Sequence, residues 1–324
     1  MGKAIVLRKY GDTDQLKLED VEVKKPNKDE LLLKQTAIAV HFHDIYVRTG
    51  LYKTLTLPGI PGLEAVGVVE EIGKDVSDFS PGDKVGYIDR NYGAYATHRV
   101  IKKKLCFKVP DFISDEIIAT NFSRAITVQM LMEMVTQVKA SDTILITAVT
   151  GGVGKIFAQW AKSKGVRVIG TVGSKEKEVL GKSFGCDYTL TYDQPNFIDE
   201  ILDITNGKGV DKVFDSVGKD TFQNSLKSVS TCGHIINFGQ SSGPIDPIEM
   251  SLLASKSLTI SRPIIFDYIS ETETYNKMAQ SVFHAFKNGN IKTPTLTPFN
   301  LQDANLAHDM LESRKGGGSI FLKT

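Results

Sequence analysis

The sequence predicts an α/β protein, a mainly β first part joined to a second part built on a doubly wound parallel sheet. Three observations predict it. From about residue 123 onward, short β-branched runs alternate with helical stretches, the pattern of βαβ units. The glycine-rich turn Gly151-Gly152-Val153-Gly154 joins one of those runs to the helix after it. The residues before this alternation are β-rich runs broken by Gly, Pro and Asp turns.

In the first part, Leu31–Leu33, Ala37–Val40, Val66–Ile72 closed by Gly73, and Gly93–Val100 read as strands, with another beginning after the turn Ser80-Pro81-Gly82-Asp83. Short helical pieces are expected near Asp44–Arg48 and Ser114–Ala119. In the second part, Ile126–Thr136 is apolar, methionine-rich and reads as a helix. Thr143–Thr147 is a strand, and Gly154–Lys164 a helix with Ile156, Phe157, Trp160 and Ala161 on one face, stopped by Gly165. The strands continue with Val166–Thr171, Asp187–Leu190, Val210–Asp215, His234–Phe238 and Leu258–Ile260, and the helices between them are Lys175–Ser183, Phe197–Thr205 and Thr221–Val229. Helices over Ser270–Asn288 and Leu301–Ser313 and a strand at Ser319–Lys323 close the chain. The tail is short for a core of its own and is expected to return to the first domain. The expected domains are 1–124, 125–261 and the return at 262–324.

Composition narrows the function. The 324 residues suit about two domains. The formal charge of +1 implies neither a nucleic-acid nor a membrane-surface partner. Cys106, Cys186 and Cys232 are scattered with no CxxC pair, which argues against a disulfide framework or a cysteine-rich zinc site. The N-terminal Lys3–Leu7 reads as a strand rather than a secretory signal, Val6 stands where an acylation motif wants Ser or Thr, and no apolar run is long enough to span a bilayer. A cytoplasmic protein is expected.

The strongest chemical signal is the strand–turn–helix over Ile144–Gly154. Glycines at Gly151, Gly152 and Gly154, with Val153 between them, let backbone approach a diphosphate, and the helix N-terminus offers it free N–H groups. A strict pattern has glycine where Val149 stands, so this turn is a variant. The next strand decides the cofactor. A site for NAD usually carries an acid at its tip, gripping the ribose hydroxyls. Here the tip runs Gly170-Thr171-Val172-Gly173-Ser174 and is followed by Lys175 and Lys177, a hydroxyl and cations suited to a 2′-phosphate. The reading is NADPH, with the nearby Glu176 as the one discordant charge. Ser216, Phe238 and Gly239 lie at two further strand ends expected to face the same crevice.

Taken together, His41–Tyr52, Pro61–Val69, Pro81–Val85, Gly151–Gly154, Gln159–Lys162, Gly170–Val172 and Phe214–Gly218 resemble the medium-chain dehydrogenase/reductase superfamily. Within it they resemble the quinone oxidoreductases related to zeta-crystallin. The resemblance spans nearly the whole chain. It implies a GroES-like catalytic domain, a Rossmann domain, NADPH and a homodimer. It implies that Asp44, Tyr46 and Tyr52 line the nicotinamide and acceptor pocket, and that Ser174, Lys177, Tyr192 and Arg314 hold the 2′-phosphate. His41 stands where such enzymes have a cofactor-contacting asparagine, and Thr127 joins the expected cofactor-binding set. Met130 stands near a position where these enzymes often have a tyrosine. Zinc-dependent members carry a Gly-His-Glu segment, which here reads Gly62-Leu63-Glu64, so no catalytic metal is expected.

The resemblance implies hydride transfer from NADPH to a quinone, with Tyr46 and Tyr52 as the candidate catalytic phenols. Two alternatives stay open: reduction of enones, enals or enoyl thioesters, and a non-catalytic NADPH-binding structural or nucleic-acid-binding protein. His43 reads as an ordinary polar residue, and Arg48 and Arg124 as surface charges. Arg48 is close enough to pair with Asp44 along a helix, and Arg124 is a candidate phosphate contact.

Overall fold

The computed structural model describes residues 1–292, 295–313 and 319–324. Among these residues the chain divides into two compact units, Met1–Ser123 with the C-terminal residues after 292, and Arg124–Lys292.

The first unit holds β1 (Gly2–Leu7), β2 (Leu16–Val21), β3 (Glu30–Ala39), α1 (Phe42–Thr49), β4 (Glu64–Ile72), β5 (Lys84–Ile88), β6 (His98–Lys102) and β7 (Cys106–Lys108). β1 and β2 form an antiparallel pair. β3 is the central strand of the larger sheet, paired antiparallel with β4 and β6. Its Leu31–Leu33 and Ala37–Ala39 are buried while Lys34 and Thr36 reach solvent. Expected and observed strands differ at Gly93–Val100. Tyr92 takes φ 64° and Gly93 φ 97°, and regular pairing begins only at His98.

α2 (Asp115–Gln129) runs on into a wider helical turn over Met130–Val135. The helices expected at Ser114–Ala119 and Ile126–Thr136 are therefore continuous, because no Gly or Pro stands between them.

The second unit continues with β8 (Thr143–Ile146), α3 (Gly152–Ser163), β9 (Arg167–Val172), α4 (Glu178–Ser183), β10 (Tyr188–Thr191), α5 (Phe197–Ile204), β11 (Val210–Asp215), α6 (Phe222–Ser228), β12 (Val229–Asn237), α7 (Met250–Ala254), β13 (Thr259–Ser261), α8 (Ile265–Tyr268) and α9 (Thr272–Lys287). Its sheet is parallel, in the order β10-β9-β8-β11-β12-β13. The order reverses between β8 and β11, where a doubly wound sheet opens a crevice. Leu145, Ile169, Val213 and Ile235 from four strands meet Phe197, Ile201 and Phe222 of the covering helices in one apolar cluster. The unit runs through Lys292, past residue 261, because α9 buries Tyr275, Met278, Ala279, Val282 and Phe283.

The remaining elements are β14 (Leu296–Asn300), α10 (Ala304–Glu312) and β15 (Ser319–Lys323). β15 pairs antiparallel with β3, and β14 lies outside it. Pro298 disguised β14 in the sequence; proline is tolerated there because the strand sits at the sheet edge.

Candidate functional site

The second unit presents a turn built for an anion. β8 ends at Ile146, and α3 starts from Gly151, whose backbone is extended. A side chain on Gly154 would place its first carbon 2.5 Å from the carbonyl oxygen of Ala148 and 2.7 Å from the Cα of Val149. Glycine is required there by the protein's own backbone. Val149, the departure from the strict glycine pattern, has no exposed surface. Its Cγ1 lies against Gly170 and Gly181, so it packs beneath the turn, and its N–H donates to Thr171 O at 2.9 Å. The Thr147 hydroxyl donates to Asp215 Oδ1 at 3.2 Å and accepts from the Ser216 N–H at 2.8 Å, tying the ends of β8 and β11 together.

Asp215 also accepts from the Val217 and Gly218 N–H groups and the Thr221 hydroxyl. Burial pushes its carboxyl above the usual range. Its oxygens organise the β11 turn from within. Gly239 crosses that turn closely: a Cβ there would stand 2.5 Å from Ser216 O. This glycine is explained by backbone contact, and beside it Ser216 and Phe238 are half-buried.

At the tip of β9, Gly173 is exposed, Ser174 half-buried and Lys177 exposed. Tyr192 lies across the tip, its ring edge 3.7 Å from where a Gly173 Cβ would stand. Glu176 is the first acid after the strand. The Ser174 hydroxyl donates to its carboxylate and holds that carboxyl below the usual range. Glu178 is occupied by Thr191 at 2.9 Å. Ser174, Lys177 and Tyr192 are thus gathered at one strand end. Arg314 lies outside the described residues. Thr127 is half-buried on α2, and Met130 is buried just after it.

The first unit carries a separate cluster around α1. His41 begins the helix, and its N–H donates to Asp44 Oδ2 at 2.8 Å. The His41 ring meets Glu64 of β4, Nε2 to Oε2 2.6 Å, with both residues buried. Ser123 completes the group, its N–H on Glu64 Oε1 at 2.8 Å and its hydroxyl on Glu64 Oε2. Both ring contacts fall on the same nitrogen, so this is not the relay of a nucleophilic triad.

Asp44 is fully buried, and burial raises its carboxyl to about 6. The Tyr95 hydroxyl reaches it at 3.4 Å, and His308 Nε2 lies 2.9 Å from the same hydroxyl. Arg48 corrects the expectation of a surface charge paired with Asp44. It is 2% exposed and makes two 2.9 Å bonds to Glu312 and one of 3.1 Å to Gly11 O. The return of α10 brings Glu312 to it, so helical spacing alone was misleading.

The accessible side of α1 is aromatic. Tyr46 and Tyr52 are half-buried, with ring centroids 5.0 Å apart. The His43 ring stands edge-on to Tyr52 at 5.4 Å and stacks on Tyr92 at 5.9 Å. His43 Nε2 meets the Tyr92 hydroxyl at 3.1 Å. Burial, helped by His41, lowers His43 to about 4, so this wall is uncharged at neutral pH. Such a surface suits a flat, electron-poor ring. Among the described residues, no group of three His, Cys, Asp or Glu side chains is placed to hold a metal.

Sequence reasoning missed Glu64, Ser123 and Tyr92 as members of these clusters. An acid opening a strand as apolar as Glu64–Val69 was the one available signal.

Comparison with known proteins identifies the family of both units. Residues 27–111 match the alcohol dehydrogenase GroES-like domain, and residues 152–283 match the zinc-binding dehydrogenase family. A quinone oxidoreductase of Pseudomonas aeruginosa is 35% identical, with 99% of each chain covered. The chain belongs to the quinone oxidoreductase family. That family lies within the medium-chain dehydrogenase/reductase superfamily, and the chain is an oxidoreductase of it. The family also spans other acceptors: a 2-haloacrylate reductase of a Burkholderia species is 36% identical, again over 99% of each chain. The crystal structure of the Escherichia coli quinone oxidoreductase complexed with NADPH superposes with a TM-score of 0.94 at 33% identity, covering 99% of this chain and 100% of that one. The GroES-like match falls within the first unit and the dehydrogenase match within the second.

Proposed function

We propose that this chain transfers hydride from NADPH to a quinone without a catalytic metal. The observation that carries the cofactor reading is the tip of β9, where Ser174, Lys177 and Tyr192 gather and the first acid, Glu176, is engaged by Ser174. These residues fit a 2′-phosphate, and the Gly151–Gly154 turn fits a diphosphate. In this reading Gly151, Gly152, Val153 and Gly154 hold the diphosphate, and Gly173, Ser174, Lys177, Tyr192 and Arg314 the adenosine end. His41, Asp44, Thr127, Ser216, Phe238 and Gly239 serve the nicotinamide half. Asp44, having no exposed surface, acts there by fixing the start of α1. The first unit is the catalytic domain, and the enzyme is a cytosolic homodimer acting on small molecules.

NADPH, when bound, supplies the hydride. The remaining work is positioning, exclusion of water and stabilisation of charge on the acceptor oxygen. A quinone that takes a hydride also takes a proton to become the hydroquinone. In this reading Tyr46 and Tyr52 are the phenols that donate a hydrogen bond to that oxygen. The neutral aromatic wall of His43, Tyr46 and Tyr52, backed by the buried Tyr92, supports a planar acceptor. The donor set supports the metal-free reading, since Leu63 offers no ligand between Gly62 and Glu64, and Glu64 is already held by His41 and Ser123. A second reading, reduction of an activated alkene, is favoured by the likeness to the 2-haloacrylate reductase.

The test is oxidation of NADPH and NADH followed by absorbance with naphthoquinone, ortho-quinone, enone and haloacrylate acceptors, with and without a chelator. The expected result is quinone turnover with NADPH preferred and no effect of chelator. Turnover confined to alkenes transfers the function to the second reading, and preference for NADH overturns the assignment of the β9 tip.

A further inference from the structure

Lys155 stands in the first turn of α3, directly after the glycine turn, on a helix whose neighbouring positions are apolar. Only 5% of it is exposed. Its ammonium has no hydrogen-bond or carboxylate partner among the described residues; the charged group it feels is another cation, Arg124. The Arg124 guanidinium lies over the start of α3, its Nε 2.9 Å from where a Gly152 Cβ would stand. Gly152 and Lys155 are three residues apart and share a helix face. Two cations therefore converge on the first turn, where the helix already presents unpaired N–H groups. Burying the Lys155 ammonium beside another cation, with no counter-charge of its own among the described residues, is unfavourable unless an anion joins it.

We infer that Arg124 and Lys155 form a cationic clamp for the diphosphate of the bound dinucleotide, supplementing the backbone of the glycine turn. This rests on the dinucleotide reading above and assigns it two side chains. The clamp gives Gly152 a role, since a side chain there would push the Arg124 guanidinium aside. It also explains a lysine kept in a buried position even though burial, then Arg124, lowers it to about 8. An arriving diphosphate restores the charged form, so binding near pH 8 takes up protons.

The experiment measures NADPH binding by calorimetry and fluorescence for the wild type, Lys155→Met and Lys155→Arg, with thermal melts to confirm folding. Calorimetry at pH 8 in two buffers of different ionisation enthalpy counts protons taken up. Inorganic diphosphate is titrated separately as a probe of the anion site alone. We expect Lys155→Met to weaken NADPH by about tenfold or more, to abolish proton uptake and to weaken inorganic diphosphate in parallel. Lys155→Arg should stay within about threefold of wild type. If Lys155→Met folds and binds NADPH like the wild type, with proton uptake unchanged, the clamp is wrong and the dinucleotide reading stands. If the wild type binds diphosphate but not NADPH, the dinucleotide reading falls and the anion site remains.

Discussion

Replacing Ser174 with aspartate tests the cofactor assignment most directly. Ser174→Asp restores the acid that a site for NAD carries at this strand end. Its effect is worked from the exposure of the tip, where Gly173 and Lys177 face solvent and Ser174 is half-buried. Two unit charges about 5 Å apart interact by about 0.8 kcal/mol in bulk water and about 3 kcal/mol at an effective dielectric of about 20. So open a site belongs near the lower figure, about 1 kcal/mol per charge. A 2′-phosphate carrying about 1.5 to 2 charges then meets roughly 1.5 to 2 kcal/mol of repulsion. Loss of the hydroxyl's hydrogen bond adds about 1 kcal/mol. The sum is near 3 kcal/mol, about a 100-fold fall in the preference for NADPH over NADH. The assay is the ratio of kcat/KM for the two cofactors with one quinone at low ionic strength, repeated with added salt, which should shrink the effect. A ratio that moves less than about threefold would refute the reasoning, because no 2′-phosphate then lies beside Ser174.

Three further outcomes follow from the same structure. Glu176→Gln frees the Ser174 hydroxyl and removes a like charge near the phosphate, so NADPH affinity should rise by up to about fivefold, the scale of exposed charge effects; titration by fluorescence decides it, and a weaker cofactor would mean that Glu176 helps to order the tip. Gly154→Ala drives a carbon against Ala148 O and the Val149 Cα, backbone atoms that cannot rotate aside; a net loss of about 2 kcal/mol, or about 4–8 °C in Tm, is expected by calorimetry, and an unchanged Tm counts against so tight a turn. Burial, aided by Arg48, lowers His308 to about 3, so the unfolded state binds the extra proton between pH 6.5 and that value and stability falls as the medium is acidified. His308→Gln should therefore lose less stability than wild type between pH 7 and pH 5, by roughly 2 kcal/mol; the buried Asp44, whose pKa is raised to about 6, acts in the opposite sense in both proteins. Equal pH dependence in denaturant melts would assign the acid sensitivity elsewhere.

Much of the second unit was legible in the chain because its information is local. Val210–Asp215 occupies the expected position, since a β-branched run bounded by turn residues has few other uses. The absence of an acid at the end of β9 could be read for the same reason, being a matter of which residue follows a strand. Val149 was harder: as a departure from the glycine pattern it looked like a defect, and only packing against Gly170 and Gly181 shows that it faces away from the turn's open side.

The first unit depended on contacts that no local pattern encodes. Arg48 and Glu312 lie 264 positions apart, and the arginine that looked like a surface charge is buried because α10 returns to it. His41, Glu64 and Ser123 come from a helix start, a strand and a second helix, and their meeting follows from the pairing of β3 with β4. Lys155 belongs to both levels. Its sequence position places it in the first turn of a dinucleotide helix, whereas its burial beside Arg124 is a property of the folded unit. Periodicity and turn chemistry act over a few residues and survive in the linear sequence, whereas burial and ion pairing arise only when distant segments exclude water together.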